Sequence, residues 1–89
     1  MIFEIIYIED VVKKDIPKLS NSWRKKIKTA IEKKLSSEPE VFGKSLRKSL
    51  KGYRRLRVGD YRVVFLIKGR KVLIMVIEHR SIVYKNKRI

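Results

Sequence analysis

Eighty-nine residues with 44% hydrophobic content make one small domain (residues 1–89) with a modest core, and argue against general disorder. The chain has no cysteine and one histidine, which excludes a disulfide framework or cysteine zinc site and leaves no basis for expecting a metal or cofactor. The formal charge of +15 is uneven: residues 1–40 carry nine Lys/Arg against seven Asp/Glu, and residues 41–89 carry fifteen against Asp60 and Glu78 alone. Such asymmetry points to a polyanionic partner, and nucleic acid is the commonest inside cells.

In chain order, Ile2 to Ile8 is a nearly continuous apolar run broken by Glu4, which reads as an interior strand with both faces covered. It has neither the basic lead nor the cleavage site of a secretory signal, and no run approaches a membrane span, so a cytoplasmic protein is expected. Val11, Val12, Ile16 and Leu19 form the stripe of a short helix that Pro17 limits, and Ser20, Asn21 and Ser22 are candidate caps for the next. From Trp23 to Leu35 the helical period is clear, with Trp23, Ile27, Ala30, Ile31 and Leu35 on one stripe and a basic back. Trp23 opens that stripe and is read as core rather than as a platform for a base. Ser36 to Glu40 ends the helix. Val41 to Leu50 is either a helical turn or an irregular connection. Its Lys44, Arg47 and Lys48, with Lys51, either guide a phosphate backbone or decorate a solvated linker.

The stretch Lys51 to Leu66 organises the rest. Tyr53–Val58 and Tyr61–Ile67 are β-prone runs separated by Gly59-Asp60, a two-residue hairpin turn. Facing residues then sum to 119, so that Val58 meets Tyr61, Leu56 meets Val63 and Arg54 meets Phe65. On the other face Arg55 meets Val64, and Arg57 meets Arg62. Two arginines directly opposed should repel, and an anion between them would remove the conflict. Gly69-Arg70 predicts a second hairpin to Val72–His79 with facing residues summing to 139, which puts His79 on the face of Arg62. A bulge would shift that parity. The order β-α-α-β-β-β predicts an α+β fold, a two-layer sandwich with helices on one face of an antiparallel sheet.

Most catalytic constellations are absent. There is no Gly-rich phosphate loop, no His/Cys ligand set and no serine with a histidine and carboxylate partnership. Asp60 is explained by its turn, and Glu78 as an ion-pair partner of a nearby base. What remains is Arg55, Arg57, Arg62, His79, Arg80 and Tyr84 converging on one end of the sheet. Such a set suits RNA cleavage by the substrate's own 2′-hydroxyl, where the protein need only align the nucleophile and neutralise the phosphorane. Arginine matches phosphate oxygens in bidentate geometry, and a histidine or tyrosine could move the proton. The alternative is a basic RNA-binding surface without chemistry, and the pattern alone does not choose between them.

Along nearly its full length the chain resembles the RelE/ParE superfamily of toxins from type II toxin–antitoxin systems. The resemblance rests on Tyr53-Arg-Arg-Leu-Arg-Val-Gly-Asp-Tyr-Arg-Val-Val-Phe65 preceded by Leu50-Lys-Gly52, on His79-Arg80 and on Val83-Tyr84. It implies the same order of elements and, on the RelE-like side, an endoribonuclease that cuts mRNA in the ribosomal A site and inhibits translation without a metal. It further implies that Arg55 contacts the scissile region, that Arg62 stabilises the transition-state phosphate with help from Arg80, and that Tyr84 stacks on a base or transfers a proton. His79 is a further proton-transfer candidate, and Tyr53 stands where some members have lysine. Lys44, Arg47, Lys48, Lys51, Tyr53, Arg54 and Arg57 complete the expected RNA-binding set. ParE-like relatives share the fold and poison DNA gyrase instead. Either way the resemblance implies a cognate antitoxin, and charge suggests that its covering segment is acidic.

Overall fold

The computed structural model describes residues 2–45, 52–85 and 88–89, with the side chain of Lys44 excepted. Two tight turns set the sheet. Strand β3 (Arg54–Val58) turns through Gly59-Asp60 into β4 (Tyr61–Lys68), which turns through Gly69-Arg70 into β5 (Lys71–His79). Both turn glycines have positive φ, 59° at Gly59 and 61° at Gly69, as the hairpin geometry requires. At Gly59 a side chain is excluded twice over, because a Cβ there would lie 2.5 Å from the Trp23 ring. The first hairpin has the register read from the sequence at all five pairs, Arg54 with Phe65 through Val58 with Tyr61, including Arg57 opposite Arg62.

The sheet has five strands in the order β1-β5-β4-β3-β2, where β1 is Glu4–Tyr7 and β2 is Lys44–Ser45. The α+β class and the order of the main elements are as expected, with three corrections. The sheet is mixed rather than antiparallel throughout, because β1 runs parallel to β5. Parallel pairing needs a long connection, and the helical segment after β1 begins it. Second, β1 is an edge strand and not an interior one. Its apolar run is explained by Phe3, Ile5, Tyr7 and Ile8 packing against the core. Third, the described part of the connection after the helix, up to Ser45, is neither of the alternatives alone. It forms a short helix α2 (Pro39–Phe42) and then β2, which pairs Lys44 with Arg55 and Ser45 with Arg54.

The helical layer begins with turns at Val11–Asp15 and Ile16–Lys18, where Pro17 sits in the first turn of the second segment. Helix α1 (Asn21–Ala30) follows, and the Ser20 hydroxyl caps it by accepting from the Trp23 amide at 3.3 Å. The chain continues helically as a wider turn over Ile31–Leu35. Ile27, Ile31 and Leu35 are buried against Leu56, Val63, Phe65, Val72, Ile74 and Ile77 of the sheet, forming the main core. Trp23 packs on its edge with its ring 4.8 Å from that of Tyr61, as its place on the stripe required. Full burial of a side chain such as Phe65 stabilises a fold by about 1.5–3 kcal/mol, so this interface carries most of the stability.

The opposite face of the sheet is covered too. Val64, Val76 and Val83 form a second buried cluster, with Tyr53, Met75 and Ile89 packed against it. Val83 belongs to a turn of 3-10 helix (Val83–Lys85), so the C-terminal tail supplies the cover.

Candidate functional site

The second hairpin keeps the expected register only near its turn. Lys68 to Phe65 pair with Lys71 to Ile74, but Val64 pairs with Val76, so Met75 is an extra residue in β5. Beyond this bulge every β5 side chain changes face relative to the sequence reading. His79 is therefore opposite Tyr61 rather than on the arginine face. The two rings meet edge-on at 5.8 Å, and the His79 Nδ1 accepts from the Ser81 amide at 3.2 Å. Glu78 takes the place opposite Arg62.

The arginines themselves converge as the first hairpin dictates. Arg62 is only 7% exposed. Its Nη1 donates to the carbonyls of Gly59 and Tyr61, both at 2.9 Å, which ties the guanidinium back over the turn. Burial lowers its pKa from the ordinary arginine value, and the neighbouring Arg57, Arg55 and Arg80 push in the same direction, while Tyr84 opposes them. An arginine remains charged under such conditions, so the strain is electrostatic and an anion would relieve it.

Arg55 adjoins it and donates from Nη1 to the Tyr84 hydroxyl at 3.3 Å, while its buried Nε has no hydrogen-bond partner among the described residues. Tyr84 is 41% exposed, so its ring is available to a ligand even with its hydroxyl held. Arg80 is joined to the first turn, its amide donating to the Asp60 carbonyl at 2.9 Å and its Nε lying 4.0 Å from the Asp60 carboxylate. Asp60 thus does more than make the turn, since it steadies the segment that follows β5. Arg55, Arg57, Arg62, Arg80 and Tyr84 form one cluster at the hairpin end of the sheet, with Arg62 buried, Arg55 part-buried and the others exposed.

The remaining sequence candidates fall elsewhere. Arg54 is on the helix-facing side, where its Nη1 donates to the Gly43 carbonyl at 3.0 Å and ties β3 to the end of α2. Tyr53 packs into the second cluster beside Val64. Lys44 lies in β2, and Arg47, Lys48 and Lys51 fall outside the described residues. Sequence reasoning passed over Asp15 and Arg88, which form a buried ion pair along the open side of β5 beyond the end of β1, 2.7 Å apart. A signal was present in the sequence, since Asp15 stands midway between Val11 and Leu19 at helical spacing, on the buried stripe.

Among the described residues no group of His, Asp and Glu is arranged to hold a metal ion, and no described helix is long and apolar enough to cross a membrane.

A two-layer fold with this order of elements and an arginine cluster on its central hairpin defines a small toxin of the RelE/ParE type. Residues 6–84 match the model of the ParE toxin of type II toxin–antitoxin systems (parDE), and the chain belongs to that family. No curated protein sequence matches the chain. Among solved structures it is similar to the RelBE2 toxin–antitoxin complex of Mycobacterium tuberculosis, with 26% identity over 91% of this chain and 94% of that one and a TM-score of 0.83. The RelB–RelE antitoxin–toxin complex of Methanococcus jannaschii is 25% identical over 89% and 94% of the two chains, with a TM-score of 0.69. YafQ of E. coli, at 19% identity over 89% and 94% and a TM-score of 0.56, shares the fold.

Proposed function

We propose that this chain is the toxin of a type II toxin–antitoxin pair and that it is a ribosome-dependent endoribonuclease acting on mRNA in the A site, inhibiting translation. The observation that carries this reading is Arg62, buried among Arg55, Arg57 and Arg80 and beside Tyr84, a constellation that an RNA phosphate completes. The 2′-hydroxyl of the substrate attacks the adjacent phosphorus, and the bond to the 5′-oxygen breaks. This leaves a 2′,3′-cyclic phosphate, or the 3′-phosphate from it, and a 5′-hydroxyl. The 2′-hydroxyl proton is lost and one is delivered to the leaving oxygen. Arg62 and Arg80 neutralise the phosphorane, Arg55 contacts the scissile region, and Tyr84 relays a proton or stacks on the base. His79, on the other face beside Tyr61, has no part in this scheme. Because the nucleophile belongs to the substrate, the scheme asks nothing of a metal.

The similarity to two toxins solved with their antitoxins, at 25–26% identity, supports a cognate antitoxin for this chain as well. With +13 in residues 41–89, an acidic segment that covers Arg55, Arg62 and Arg80, or displaces Tyr84, would silence it. The test is primer extension on translated mRNA after induction. Wild type should give stops within codons, and Arg62→Ala should lose about 2–4 kcal/mol of transition-state stabilisation. Cleavage by that variant at the wild-type rate would sink the assignment.

The match to the ParE model favours a second reading, a gyrase poison with no chemistry of its own. It predicts DNA breakage and impaired supercoiling in the presence of gyrase, with intact mRNA. A third outcome, salt-sensitive RNA binding with neither effect, would leave a basic binding module.

A further inference from the structure

The buried carboxylate that the proposed chemistry does not use sits where the sheet is least complete. Strand β1 pairs with β5 only as far as Tyr7 opposite Ile74, and the bulge at Met75 follows at once. Backbone polar groups at such a point need partners, since neither a ladder nor water supplies them. Asp15 and Arg88 supply them. The Ile77 amide donates to Asp15 Oδ2 at 2.9 Å, and Arg88 Nη1 donates to the Met75 carbonyl at 3.0 Å. The two side chains then bind each other in a fork, Nη1 to Oδ2 at 2.9 Å and Nη2 to Oδ1 at 2.7 Å. Asp15 is fully buried, and Asp10 adds a carboxylate 3.6 Å from Arg88 Nε.

This junction joins the first helical segment, the bulged strand and the tail. The tail is held at two points. Val83 is buried in the second cluster, and Arg88 is held in the fork. Tyr84 lies between these points, in a turn closed by the Lys85 amide donating to the Ile82 carbonyl at 3.0 Å. An aspartate deep in the main body thus fixes, through Arg88, the segment that presents a phenol to Arg55.

We infer that the Asp15–Arg88 pair is a latch on the C-terminal segment, and that both are positioning residues for Tyr84. The positioning role rests on Tyr84 acting in the proposed cleavage, whereas the latch itself does not. A lysine at 88 would keep the charge and lose the fork, and a glutamine would lose the charge as well.

The experiment uses the purified full-length chain with Arg88→Gln and Arg88→Lys. Asp15→Asn, which keeps an acceptor for the Ile77 amide, serves as the second variant should Arg88→Gln fail to fold. Amide hydrogen exchange at Ile82 and Lys85 should speed up at least tenfold in Arg88→Gln and less in Arg88→Lys, while Val63 and Phe65 stay within about twofold of wild type. In ribosome-bound mRNA cleavage, kcat should fall to the level of Tyr84→Phe with KM unchanged, and the double variant Tyr84→Phe/Arg88→Gln should be no slower than Tyr84→Phe alone. Wild-type exchange rates in the tail of Arg88→Gln would overturn the latch. A double variant that falls to the product of the two single losses would overturn the positioning role. If Tyr84→Phe cleaves like wild type, the role proposed for Tyr84 fails, and the exchange rates still decide the latch.

Discussion

Asp15 and Arg62 are the buried charged residues of the described chain, and the fold surrounds them in opposite ways. Asp15 meets a forked arginine and a backbone amide, and the pairing raises the pKa of Arg88 above its ordinary value, the hydrogen bond to Asp15 contributing most. Arg62 is tied to two carbonyls, and the strongest charges acting on it are Arg57 and Arg55. Beside β5 opposite charges match within the protein. On β3 and β4 like charges are gathered, with Glu78 of β5 opposite Arg62 and Asp60 beside Arg80 as the nearby acidic residues. A protein of +15 had many exposed positions for its arginines, so a buried arginine facing Arg57 across a hairpin is the feature on which the proposed RNA site rests.

The difference can be broken by exchanging the fates of the two residues. Asp15→Ala should destabilise the fold by about 3–5 kcal/mol, because it removes the buried carboxylate that forks with Arg88 and orphans the Ile77 amide. Arg62→Gln removes a repelled charge and should change stability by no more than about 1 kcal/mol, while its cleavage activity collapses. Urea denaturation of both variants makes the comparison, and equal losses would mean that the two charges are built into the fold alike. A smaller effect sharpens it. Inorganic pyrophosphate at about ten times its Kd should stabilise wild type by about 1.4 kcal/mol, a rise on the order of 5–10 °C in melting temperature. Arg62→Gln should lose most of that rise, with potassium chloride at matched ionic strength as the control. An undiminished shift in the variant would place the anion elsewhere.

How much of this was legible depended on how local the determining interactions are. The register of β3 with β4 follows from two residues, Gly59 and Asp60, and the opposition of Arg57 to Arg62 follows from the register. The arginine cluster could therefore be read directly. Placing His79 required the parity of β5, and the bulge at Met75 reversed it. Nothing in Leu73-Ile-Met-Val-Ile77 marks one residue as extra, since all five suit a strand. The bulge is maintained from outside, by a carboxylate 62 positions from Ile77 and an arginine 13 positions from Met75. The edge position of β1 was hidden for a similar reason. An edge strand whose inward residues pack on helices can be as apolar as an interior one. Asp15 was the missed clue, because an acidic residue on the buried stripe of a short helix calls for a partner, even when sequence cannot name it.

Tyr7 extends the comparison to a polar group that carries no charge near neutral pH, and it gives the smallest expected effect. Its hydroxyl is buried with no hydrogen-bond partner among the described residues, beside an apolar groove of about 310 Å³ lined in part by Ile16, Leu19, Ile27 and Ile31. Burial, with a lesser push from Glu32, raises its pKa from 10.0 to about 12. Between those values the unfolded chain has lost the phenol proton and the folded chain still holds it. Stability from this group is thus fully present below pH 10 and is lost as pH rises toward 12. Tyr7→Phe keeps the ring and removes the unsatisfied atom. At pH 7 it should be neutral or stabilising, by less than about 1 kcal/mol. The two proteins differ by that hydroxyl alone, so the difference between them isolates Tyr7. Between pH 9 and 11.5 the urea midpoint of wild type should fall faster than that of Tyr7→Phe. Parallel slopes would mean that the hydroxyl is solvated in the folded state, and that the contrast rests on the two charges alone.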